Sequence, residues 1–161
     1  MAVESSQSAY SVKAALDQFT YEGFSVKDLY ERALLRGFLR RLWAGLTHHP
    51  RSLQILSDDK RPLQGGHYAG VQEVPIDHIR GSESHARDFD DRFYPLSDRT
   101  RERWLSLAKA ISMSIDLLPV ELIQVGKDYF VRDGHHRISV ARAFGHKTIA
   151  AQVTVWDVNY S

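Results

Sequence analysis

Asp133-Gly134-His135-His136-Arg137 places a carboxylate, a glycine, two imidazoles and a guanidinium in five consecutive positions. The run follows an apolar, β-rich stretch that ends at Val131–Arg132 and precedes a helical pattern that starts near Ile138. Gly134 permits a tight turn that a Cβ would oppose. The amides of His135, His136 and Arg137 then fall in the first helical turn, where the helix offers them no acceptor. Such amides, with the helix dipole behind them, form a seat for an anion and suit phosphate. Arg137 adds a planar fork that can grip phosphate through two donors, and two imidazoles crowd the same turn. A local reading competes with this one: Asp133 caps the helix, occupies those amides itself and leaves the histidines solvated. A metal reading would need ligands from Asp88, Asp90 or Asp91, because adjacent histidines rarely converge on one ion. No metal ligands are assigned.

The elements that must hold this turn are legible on both sides of it. Val120–Val125 reads as an apolar strand, Gly126-Lys127-Asp128 as a turn, and Tyr129-Phe130-Val131 as the returning strand. Ile138, Val140, Ala141 and Phe144 describe a helix closed by Gly145, and Thr148–Trp156 a final strand. Upstream, Val71–Ile76 predicts a short strand that Pro75 confines to an edge or an end. Residues 81–98 are polar and read as irregular. Asp98 or Thr100 then caps a helix in which Trp104, Leu107, Ala108, Ile111 and Ile115 share a face. Strands and helices mix without strict alternation, which gives an α+β fold class.

The first third of the chain is helical in pattern. Val12, Ala15, Leu16 and Phe19 predict a short helix, and Ser25 with Asp28 forms a capping-box variant that opens a longer one. Its apolar stripe runs through Val26, Leu29, Tyr30, Ala33, Leu34, Phe38, Leu42 and Leu46, with Trp43 beside it. The expected burial is against the α+β domain, the alternative a second copy in a homodimer. Arg32, Arg36, Arg40 and Arg41 lie off the stripe, as a solvated face or as an arm for DNA phosphates. Residues 57–70 carry Asp, Pro and three Gly without periodicity and read as a linker. The organisation expected is a helical extension over 1–60, a linker over 61–70 and a domain over 71–161.

Composition narrows the chemistry. The 161 residues are 43% apolar and 25% charged with a net charge of +1, an ordinary globular balance rather than a strongly basic one. Without a single cysteine, thiolate catalysis, disulfides and cysteine–zinc sites are excluded. The N-terminus lacks a secretory pattern and no apolar run is long enough to span a bilayer, so the expectation is a cytoplasmic protein with no membrane association.

Residues 71–157, with VPIDHIRGSE and then PVELIQVGKDYFVRDGHHRISVARAFG, resemble the ParB/sulfiredoxin-like superfamily, whose domain is also labelled ParB-like nuclease. In that superfamily the matching turn binds nucleotide phosphates: CTP in partitioning proteins, ATP in sulfiredoxins, ADP or ATP in free-serine kinases. The resemblance implies nucleotide binding at Asp133, Gly134, His135, His136 and Arg137, with Arg87 as a further phosphate contact. It implies ATP, ADP or CTP with Mg²⁺, which Asp133 could approach, and NTPase or phosphotransferase activity. Glu83 is then the nearest candidate for a carboxylate base, with His136 the other catalytic candidate. The departures matter too. His135 stands where sulfiredoxins carry their catalytic cysteine, so sulfinic-acid reduction is excluded. Gly134-His135-His136-Arg137 replaces the Gly-Glu-Arg-Arg of partitioning proteins, and no helix-turn-helix pattern follows, which argues against their mode of centromere binding. A non-catalytic DNA-associated module is the alternative, and a nuclease the third reading.

Overall fold

A computed structural model describes residues 20–21, 24–47, 52–56, 63–84 and 87–158. The expected helix over Val12–Phe19 lies outside them. Short strands β1 (Thr20–Tyr21) and β2 (Phe24–Ser25) pair antiparallel and lead into helix α1 (Val26–Thr47). The capping box forms as expected. Ser25 N–H donates to Asp28 Oδ2 at 3.3 Å, and Asp28 N–H donates to Ser25 Oγ at 3.1 Å.

The body is a six-stranded mixed sheet with an α+β arrangement. Its strands are β3 (Gln54–Ile55), β4 (Leu63–Pro75), β5 (Ile79–Ser82), β6 (Val120–Val125), β7 (Asp128–Asp133) and β8 (Thr148–Val158). They lie in the order β3-β5-β7-β6-β8-β4. β6 and β7 form the expected hairpin, with Val125 opposite Asp128 across a two-residue turn. β8 is parallel to β6 and antiparallel to β4, while β5 runs parallel to both β7 and β3. Helices α2 (Arg101–Ser112) and α3 (His135–Ala143) complete the fold.

Three sequence expectations need correction. Residues 63–70 are not a linker but the first half of edge strand β4, paired with β8 from Leu63 onward. Register shifts beside Gly65 and Gly70 accommodate the glycines that imitate a hinge in the sequence. Gly81 and Ser82 are not irregular either. They belong to β5, where Gly81 brings the chain so close to β3 that a Cβ would stand 2.1 Å from the Gln54 carbonyl oxygen. Finally, neither Asp98 nor Thr100 caps α2 with its side chain; a 3₁₀ turn over Asp98–Thr100 leads into the helix instead.

Alternation along the strands divides the core between the two faces of the sheet. Leu122, Val131 and Val153 join Ile138 and Ala141 of α3 on one face, together with Phe89 and Phe93. Ile123, Val125 and Phe130 join Leu56 on the other. A separate cluster binds α1, α2 and α3 together: Val26, Tyr30 and Ala33 of α1 meet Trp104, Leu105 and Ala108 of α2 and Val140 of α3. The first half of α1 is therefore packed on the domain. Its second half departs from expectation, because Phe38, Leu42, Trp43 and Leu46 are all exposed. The sequence stripe is really two stripes. Val26, Tyr30, Ala33 and Gly37 face the domain, and at ~100° per residue the outer apolar set lies roughly opposite.

Candidate functional site

Strand β7 ends at Asp133 and α3 begins at His135, so the whole reversal falls on Gly134. Its backbone is left-handed (φ 111°, ψ 17°), and a Cβ there would lie 2.5 Å from Val120 Cγ1. Only glycine fits both the dihedral and the space. Gly134 occupies the cap position and no side chain caps the helix; the carbonyl of Gly134 accepts the first helical bond, from Ile138 N–H at 3.0 Å. The capping role expected of Asp133 in the local reading is thus not what the structure shows. Its carboxylate pairs instead with the Arg137 guanidinium.

Arg137 is placed differently from expectation. It is not an open fork: its side chain is 16% exposed, and NH1 donates to the carbonyls of Leu118 (2.6 Å) and Pro119 (2.7 Å). The guanidinium straps the segment leading into β6 onto the first turn of α3. That use follows from the helix itself, since a side chain four residues after Asp133 returns over the strand end.

The two histidines differ in surroundings. His135 Nε2 lies 2.8 Å from the hydroxyl of Ser82, which is wholly buried at the end of β5. That hydroxyl donates to the Val131 carbonyl at 3.2 Å and accepts from Ser84 N–H at 3.3 Å. His135 is thereby tied through Nε2 to a buried hydroxyl that also bonds the backbone of β7. The ring stacks on Phe89, with centroids 6.2 Å apart and planes 18° from parallel. His136 meets the same Phe89 edge-on at 5.1 Å. Burial pushes the pKa of both imidazoles down. The charge of His136 adds to this at His135 and that of Arg103 at His136, against the opposing pull of Asp133 on both and of Asp88 on His136. Both rings are neutral at pH 7.

A cleft of about 280 Å³ opens at this turn, lined by Gly134, His135 and His136, by Arg87, Asp88 and Phe89, and by Arg103 and Leu107 of α2. Arg87 therefore lies at the turn. Glu83 does not: its oxygens accept from Arg132 Nε at 3.0 Å and NH2 at 3.1 Å, and it does not line the cleft. Asp133 and Asp88 are the carboxylates in the lining.

Sequence reasoning missed Ser82, Phe89, Phe93 and Arg103. Asp90 is not the free ligand that a metal reading of the histidines needs. Asp90 is buried at 1% exposure, and its carboxylate accepts from the amides of Arg92 (2.9 Å) and Tyr94 (2.8 Å) and from Arg40 Nε (2.7 Å). Arg40 NH2 also reaches Asp91 at 2.6 Å. Arg40 thereby leaves the set of four arginines offered as a DNA-binding arm. The signal available in the sequence was the pair of phenylalanines four apart, Phe89 and Phe93, inside an otherwise polar stretch.

No family model and no curated protein matches the chain. Among solved structures, sulfiredoxin from Arabidopsis thaliana is similar over 52% of this chain and 82% of its own, at 22% identity and a TM-score of 0.40. A Pnob8-like ParB-N domain is similar over 60% of this chain and 32% of its own, at 19% identity and a TM-score of 0.36. Among the described residues, no helix is long and apolar enough to cross a membrane.

Proposed function

We propose that the cleft at the β7–α3 turn binds the phosphates of a nucleotide, ATP, ADP or CTP with Mg²⁺, and supports NTPase or phosphotransferase chemistry. The observation that carries this reading is the uncapped start of α3: the amides of His135, His136 and Arg137 face a cleft with Arg87 and Arg103 on its walls. Asp133, which could have blocked those amides, is drawn away by Arg137. The role of phosphate cation therefore passes from Arg137 to Arg87 and Arg103, while Arg137 positions the turn.

His136 lines the cleft and is neutral at pH 7, so it can accept a proton from an attacking hydroxyl or water. Glu83, held by Arg132, is the weaker base candidate. Asp88 and Asp133 are the carboxylates that would meet a Mg²⁺ arriving with the nucleotide, which suits an ion that uses one or two protein carboxylates and otherwise water and phosphate. When bound, Mg²⁺ would neutralise charge on the phosphoryl oxygens. Arg137 also borders a second hollow of about 500 Å³, lined by Ile111, Ile115, Leu118 and Ile149 with Lys147 and Thr148. Its size and mixed lining fit a base and ribose continuing from the phosphates.

Calorimetry with ATP, ADP, CTP and pyrophosphate, each with millimolar Mg²⁺, tests the proposal. Binding of a nucleotide that weakens when Arg87 and Arg103 are both replaced by Ala is expected. Absence of heat with all four ligands would contradict it.

A further inference from the structure

The outer face of α1 carries Leu35, Phe38, Leu39, Leu42, Trp43 and Leu46, each between 45% and 71% exposed. At ~100° per residue these six fall within an arc of roughly 140°, on the side away from Val26, Tyr30, Ala33 and Gly37. Gly37 shows how firmly the opposite side is committed: a Cβ there would stand 2.5 Å from the Pro95 carbonyl oxygen. α1 therefore cannot roll to bury the outer set against its own domain. With side chains of this kind each offering on the order of 100–200 Å², the face amounts to roughly 700 Å² per copy. That exceeds the ~300–600 Å² of the largest patch on a typical monomer and approaches the ~800 Å² that each partner contributes to a standard interface.

The spacing selects the occupant. The six positions are symmetric about the midpoint between Arg40 and Arg41: Leu35 mirrors Leu46, Phe38 mirrors Trp43, and Leu39 mirrors Leu42. A twofold-symmetric antiparallel pair of α1 helices therefore sets each apolar residue level with an apolar residue of the other copy. This is the self-complementarity that an isologous interface demands. The edges agree as well. On one edge, Arg36 of one copy comes beside Trp43 of the other, where a guanidinium over an indole is attractive. On the other edge, Gly45 leaves room beside Phe38. Arg40 and Arg41 point away from the seam, and Arg40 is neutralised by Asp90 and Asp91. No acidic residue lies between Arg32 and Thr47, so no carboxylate is buried by the pairing. We infer that this chain forms a homodimer through antiparallel, twofold-symmetric packing of the outer face of α1.

Sedimentation equilibrium on the full chain at roughly 100 μM, well above a micromolar Kd, should give twice the 18.4 kDa chain mass. Leu39→Glu with Leu42→Glu should weaken association by at least about 30-fold and return the single-chain mass. Because both positions are exposed, the circular dichroism melt of that variant should be retained. The absence of cysteine makes cross-linking clean. A tagged Leu39→Cys chain mixed with an untagged Leu42→Cys chain should oxidise to the mixed disulfide in preference to either self-pair. A monomeric wild-type chain overturns the inference. If that monomer dimerises only after removal of residues 1–19, the chain's own N-terminal segment is the occupant instead; if it floats with anionic vesicles, a membrane surface is. A dimer that survives both glutamates, or a Leu39→Cys self-pair that dominates, also overturns it.

Discussion

Two turns meet where Phe89 touches both histidines, and they use their aspartates in opposite ways. In the turn over residues 89–94, the Asp90 carboxylate is buried and takes the amides of Arg92 and Tyr94 together with Arg40. It thereby closes a loop in which Phe93 is fully buried and left-handed (φ 60°). Such a conformation persists in a bulky residue only where the surroundings over-determine it. In the turn over residues 133–137, Asp133 is occupied by Arg137 and caps nothing, so the backbone amides are left to the cleft. The first turn is a scaffold and the second can be a site. The destination of one carboxylate decides which, and the scaffold supplies the Phe89 surface on which both imidazoles of the site rest.

The comparison breaks most severely at Asp90. Asp90→Ala takes one of two carboxylates from Arg40, leaving it Asp91 alone, and strips two amides of their acceptor; it should cost about 3–5 kcal/mol of stability in urea melts. A loss below about 1 kcal/mol would show that the 89–94 turn does not depend on its carboxylate. Gly134→Val comes next. It forces a β-branched residue to φ 111° and into Val120, for a combined cost of about 2–4 kcal/mol. Chain that remains folded should show no nucleotide binding by calorimetry.

Arg137→Ala is smaller, at about 1.5–3 kcal/mol, because it releases the Leu118 and Pro119 carbonyls at a partly solvated place. A variant as stable as wild type would show that these two carbonyl contacts do not support the fold. The smallest effect is one of pH. Burial holds His135 and His136 below the ordinary 6.5, so the unfolded chain binds more protons. Their contribution to stability is complete above about pH 6.5 and is lost as the pH falls below it. The melting temperature should drop between about pH 7 and pH 5, and His135→Gln with His136→Gln should flatten that slope.

What the sequence disclosed was whatever local chemistry determines. Ser25 and Asp28 are three residues apart, the β6–β7 hairpin is closed by its own turn, and the glycine needed at 134 is set by a strand-to-helix reversal. What stayed hidden depends on partners far along the chain. Arg40 meets Asp90 across 50 positions, and Ser82 meets His135 across 53. No periodicity reports either pair. β5 was missed because Ile79-Arg80-Gly81-Ser82 is polar and short, and earns its place only between β3 and β7. The two faces of α1 merge into one stripe because Phe38, Leu42, Trp43 and Leu46, all exposed, look like core until the neighbouring helices are known.

The central claim is that backbone amides at the start of α3 receive phosphate. Amide ¹H–¹⁵N spectra recorded while Mg²⁺–ATP, and separately pyrophosphate, is titrated into the protein test it residue by residue. The account predicts that the His135, His136 and Arg137 amides shift most with both ligands, while those of Arg92 and Tyr94, already taken by Asp90, stay nearly still. Shifts confined to other parts of the chain, with the three α3 amides unmoved at saturation, would contradict it.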